Sequence, residues 1–186
     1  MAEGRSLILG LGNASRRDDG FGWSVVNEAR RRLERSPLGL TDDGTDDLGQ
    51  EVDAIFLPQL SSDLADLVAR YRRVIIVDAR ISGEQAVRVE RVGGEPSGSR
   101  LLTHDMRPAE LVALARALYG AAPEAFVVSV AGLDFDFGAG LSRQLAALVP
   151  EAAEMCLRLA RGQVSATLDS VGEGSAACAT RSDVIQ

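Results

Sequence analysis

A chain of 186 residues, 46% of them hydrophobic, has enough apolar material for one domain with a sizeable core. Its net charge of −7 excludes a nucleic-acid backbone as a natural partner, because surplus carboxylates repel phosphates. Two cysteines, Cys156 and Cys178, exclude a four-cysteine zinc site and argue against a disulfide framework.

No signal peptide precedes the first apolar run, and no apolar stretch approaches the ~18 residues of a membrane span. A cytoplasmic protein without membrane attachment is expected. Ser6–Leu11 is a short apolar run ending beside glycine, the pattern of a buried parallel strand. From Asp19 to about Arg35 the residues Phe21, Val25, Ala29 and Leu33 recur on one helical face. The basic run Arg30, Arg31 and Arg32 within it reads as a solvated face. Residues 36–50, with Pro37, three glycines and four aspartates, form an acidic loop insertion.

Glu51–Leu57 then predicts a second strand, and Leu64, Leu67, Val68 and Tyr71 a short helix. Arg73–Ala79 is the strongest strand signal, β-branched and carrying Asp78 near its end. Ala86–Val92 alternates apolar and polar residues, as an antiparallel edge strand does. A Gly/Pro/Ser loop over residues 93–100 follows. Pro108–Tyr119 is a helix turning Leu111, Leu114, Ala115 and Leu118 inward and stopped by Gly120. Its start lacks a Ser-type cap, since Arg107 stands before Pro108, although Glu110 can serve the first turn. Ala125–Val130 is a further buried strand, and Leu141–Ala160 a long amphipathic helix.

This alternation predicts a single α/β domain over residues 1–161. Its architecture is three-layer α/β/α, with a twisted, mostly parallel sheet and one antiparallel edge strand. Residues 162–186 are small and polar and are expected to form a flexible tail. Ligands of such sheets bind beyond the carboxyl ends of the strands, at a switch point in strand order. Attention therefore falls on Gly12–Asp19, Pro58–Ser62 and Asp78–Arg80.

The first of these segments, in LILGLGNASRRDDGFG, is an incomplete dinucleotide fingerprint. Gly10 and Gly12 are followed by Ser15 where the third glycine belongs, and Asp18 and Asp19 stand where phosphate would sit. An acidic pair attracts a cation instead. Asp19 opens a helix, Asp78 ends a strand, and His104, the one histidine, precedes a helix. Each also has a plain reading: Asp18 as a helix cap with Asp19 in its first turn, Asp78 as a turn residue, His104 as a structural or exposed imidazole. As a set, two carboxylates and an imidazole suit a divalent first-row metal with open positions. No Ser lies in a nucleophile elbow, and Cys156 falls within an apolar helix pattern. In AGLDFDFGAG, Asp134 and Asp136 alternate with Phe135 and Phe137, as in a loop anchored by its aromatics or a rim touching substrate.

Four segments in order, GLGNASRRDDGFG, QLSSDLADLVARYRRVIIVDA, THDMRPAELVALARALYG and FDFGAGLS, resemble the hydrogenase maturation endopeptidases over Leu7 to Leu159. The resemblance implies removal of a C-terminal extension from a nickel-containing hydrogenase large-subunit precursor. It carries the metal-binding roles to Asp19, Asp78 and His104. Those residues would recognise nickel already inserted in the precursor, and no permanently bound cofactor is expected. Asn13, Asp18 and Gln59 are expected to contact the substrate, and the nucleophile stays unassigned. Pro58–Ser61 replaces an Asp-Gly-Gly-Thr-like segment of many members and is similar to the branch serving soluble, cofactor-reducing hydrogenases. A non-cleaving nickel-sensing chaperone and a nucleotide-binding α/β enzyme are the alternatives.

Overall fold

A computed structural model describes residues 4–93, 106–121 and 123–164 of the chain. Strands and helices follow in the order β1 (Ser6–Leu11), α1 (Phe21–Arg32), β2 (Val52–Leu57), α2 (Leu64–Val68), β3 (Arg73–Arg80), β4 (Arg88–Arg91), α3 (Pro108–Tyr119), β5 (Glu124–Ala131) and α4 (Arg143–Ala160). Among the described residues, five strands make one sheet in the order β2-β1-β3-β5-β4. β1 runs parallel to β2 and β3, and β3 parallel to β5, while β4 pairs antiparallel with β5 at the edge.

Period-two alternation divides the strand side chains between two cores. Ile8, Ile75, Val77, Phe126 and Val128 face α1 and α4 on one side. Leu7, Leu9, Val74 and Ile76 face α2 and α3 on the other. The three-layer α/β/α domain expected from the alternation is therefore present. β2 lies on one side of β1 and β3 on the other, so strand order reverses there. The crevice of a doubly wound sheet opens at the carboxyl ends of such a strand pair.

Close contact between β1 and α1 depends on missing side chains. A Cβ on Gly22 would overlap the Leu11 carbonyl oxygen and lie 2.6 Å from the Leu11 nitrogen, both backbone atoms that cannot yield. The helix thus starts directly against the end of β1.

Four local expectations are corrected. α1 begins at Phe21 rather than Asp19, after a 3-10 turn at Arg17–Gly20, because Asp18 bonds away from its own helix. Arg30 does not face solvent: it is only 4% exposed and donates to the Ser36 and Ala54 carbonyls at 2.7 and 2.9 Å and to Asp47. It thereby fastens the acidic loop to α1 and β2. Leu118 is 62% exposed, since the inward face of α3 ends at Ala115. The start of α3 is served from within, where the Glu110 carboxylate accepts the Arg107 N–H at 2.9 Å. Phe137 is 82% exposed and does not anchor its loop. Most of the loop after Gly93, His104, and residues 165–186 with Cys178 lie outside the described residues.

Candidate functional site

At the β1–β3 switch point lies an open cavity of about 580 Å³. Its wall includes Leu11 and Gly12 from the end of β1, Asp78 and Ala79 from β3, and Pro58, Gln59 and Leu60 after β2. Asp19 and Arg16 enter from the turn after β1, Phe135 from the loop after β5, and Met106 and Pro108 from the start of α3. Three segments singled out by strand-end reasoning thus meet in one place.

Asp19 is brought there by backbone contact. Gly12 has φ of +118°, and a Cβ on it would overlap the Asp19 carbonyl oxygen. Only glycine adopts that conformation without strain and lets the turn fold back so tightly. The Asn13 N–H donates to the same carbonyl at 3.3 Å. Asp78 is held partly buried, one carboxylate oxygen accepting the Ala79 N–H at 2.8 Å. Burial pushes its carboxyl up to about 6, the nearby charge of Asp19 adds to the rise, and the Ala79 bond opposes it. Two acids therefore sit within electrostatic reach on the floor of the cavity.

The other expected residues separate. Gln59 lines the cavity. Asn13 is exposed and is not part of its wall; its side-chain oxygen accepts the Ser15 N–H at 2.9 Å and shapes the turn. His104 lies outside the described residues, so the third member of the proposed ligand set is not seen. Among the described residues no three His, Cys, Asp or Glu side chains converge as a metal cluster would.

Asp18 corrects an expectation. It is fully buried and turns away from the cavity, so it is not available to touch substrate there. Its carboxylate accepts backbone N–H groups from Leu133 at 2.8 Å, Asp134 at 3.1 Å and Ser142 at 2.6 Å. Burial alone would raise its pKa, but these donors prevail and hold it below the ordinary carboxylate value. The same junction is stitched by backbone bonds from Arg17 to Gly138, Asp18 to Asp134 and Gly138 to Ser15. Asp18 is therefore a clamp that fixes the loop carrying Phe135 to the turn carrying Asp19.

Arg16 and Phe135 belong to the cavity wall but were not among the expected site residues. The Phe–Asp alternation pointed to a rim at Phe135 as one of two readings. An arginine among many, scattered between acids, carries no signal in a single sequence.

No family model and no curated protein sequence matches the chain. Solved structures do. A [NiFe] hydrogenase maturation protease, HycI, from Thermococcus kodakarensis is 17% identical with a TM-score of 0.60, over 84% of this chain and 92% of that one. The hydrogenase maturating endopeptidase HybD from E. coli is 22% identical with a TM-score of 0.59, over 86% and 93%. A hydrogenase 2 maturation peptidase from a Thaumarchaeota archaeon is 20% identical with a TM-score of 0.52, over 86% and 99%. At these identities the likeness is one of architecture, and it spans nearly all of each neighbour. The chain has the fold of the hydrogenase maturation proteases.

Proposed function

We propose that this chain is an endopeptidase that removes the C-terminal extension of a [NiFe]-hydrogenase large-subunit precursor after nickel insertion. Asp19, Asp78 and His104 recognise the nickel that the precursor carries, and the protease needs no metal of its own. The observation that carries this reading is the meeting of Asp19 and Asp78 at the switch-point cavity, where burial raises the Asp78 carboxyl to about 6 and the charge of Asp19 adds to the rise. A pair of acids held this way is relieved by a cation, and a substrate-borne cation makes relief conditional on metal loading. Met106, two positions after His104 in the sequence, lines the same cavity.

Cleavage adds water across the peptide bond, its oxygen going to the carbonyl carbon and a proton to the departing amine. The substrate's nickel can polarise that carbonyl or acidify the water.

Release of the C-terminal fragment is to be measured with nickel-loaded and nickel-free precursor. Wild type should cut only the loaded form. Asp19→Ala, Asp78→Ala and His104→Ala should each lower the rate on the order of a hundredfold or more while circular dichroism stays unchanged. Full-rate cleavage by His104→Ala, or of nickel-free precursor, would remove the metal reading. Stable co-purification with loaded precursor and no fragment would replace the enzyme by a chaperone.

A further inference from the structure

Arg16 is unlike its neighbour on the same turn. Arg17 is paired with Asp134 at 3.3 Å. Arg16, among the described residues, forms no ion pair, yet its guanidinium is held in place. Nε and Nη2 both donate to the Phe135 carbonyl, at 3.2 and 3.1 Å, and the cation lies 5.5 Å from the centre of the Phe137 ring. Those bonds occupy one edge of the planar fork. The opposite edge, made by Nη1 and the second Nη2 hydrogen, has no partner among the described residues, and Arg16 lines the cavity. The cavity is thus divided by charge: Asp19 and Asp78 at the strand ends, and an uncompensated, oriented cation on the wall formed with Phe135.

Resting on the reading of this cavity as the precursor-binding site, we infer that Arg16 is a specificity residue that binds a carboxylate of the precursor's extension through its free guanidinium edge. A carboxylate matches that edge bidentately, which neither a backbone carbonyl nor an amide does. The acid pair would repel such a group, so Arg16 also fixes the direction in which the peptide lies: its cationic element toward Asp19 and Asp78, its anionic element toward Phe135. The exposed Phe137 ring, centred 5.5 Å from the guanidinium carbon, lies within cation–π reach of it. The carboxylate can come from a Glu or Asp side chain or from the peptide's own C-terminus.

Three short peptides separate the possibilities, titrated into the full chain while the Arg16 Nε–H resonance is followed by NMR. They are acetyl-Ala-Glu-Ala-amide, its Gln counterpart, and acetyl-Ala-Ala-Ala with a free C-terminus. At least one carboxylate peptide should bind about fivefold or more tighter than the Gln peptide and shift the Arg16 resonance. The tighter of the two names the source. Arg16→Gln should erase the preference, and Arg16→Lys should keep only part of it, because an ammonium lacks the fork. Equal binding of all three peptides, or a preference surviving in Arg16→Gln, would overturn the assignment. The titration requires neither nickel nor cleavage, so its failure is distinct from failure of the processing assay. With precursor, Arg16→Gln should raise KM about tenfold and leave kcat within about threefold, which a merely structural role would not produce.

Discussion

At the scale of single residues, adjacent aspartates carry opposite duties. Asp19 faces the cavity, whereas Asp18 is enclosed and satisfied by three backbone N–H groups from the far end of the chain. Replacing Asp18 by Ala strands those donors in the interior and should cost roughly 2–4 kcal/mol in urea denaturation. Because the folded state lowers its pKa, the contribution of Asp18 is complete above the ordinary carboxylate value and is lost as pH falls through the lowered one. Wild-type stability should therefore drop below about pH 4, and Asp18→Asn should show a shallower acid decline. Equal slopes for the two proteins would mean that Asp18 folds with no shifted proton equilibrium. Adjacency in sequence concealed this division, since a DD pair reads as one acidic feature until the backbone assigns each carboxylate a side.

At the scale of elements, β1 and α1 act as one rigid unit through the contact at Gly22. Gly22→Ala drives a methyl into the backbone of Leu11 and should destabilise the fold by roughly 1–3 kcal/mol, read as a lowered melting midpoint. The acidic loop is a second unit. Arg30→Ala removes the bonds to Ser36, Ala54 and Asp47 and should cost roughly 2–4 kcal/mol. It should also expose residues 36–50 to faster proteolysis. Periodicity located the five strands and four α-helices among the described residues, though not the short 3-10 turns, because burial on a sheet face or helix stripe repeats in sequence. It missed Arg30 for the converse reason. Its burial is local and polar, created by carbonyls that no periodic pattern encodes. Leu118 erred in the other direction, sitting on a helical stripe that continues after its partner surface has ended.

At the scale of the whole molecule, the sheet is graded from centre to edge. β1 and β3 are paired on both sides and buried, while β4 is short, largely exposed and paired on one side. Native-state hydrogen exchange should find the slowest amides in β1 and β3, and those of β4 should exchange orders of magnitude faster. No helix among the described residues is long and apolar enough to cross a membrane. The cavity floor was legible in the sequence because strand ends at a switch point are a rule of topology. The joining of Arg16 to Phe135 was not, because a side chain bonds to a carbonyl across 119 positions. The Asp18 clamp has a temporal consequence. Its acceptor is made near the start of synthesis, and its donors lie 115, 116 and 124 residues later. A ribosome-bound chain that has displayed both cavity acids still lacks the wall formed by Phe135. The cavity wall is therefore completed only when β5 and the start of α4 have been translated and docked.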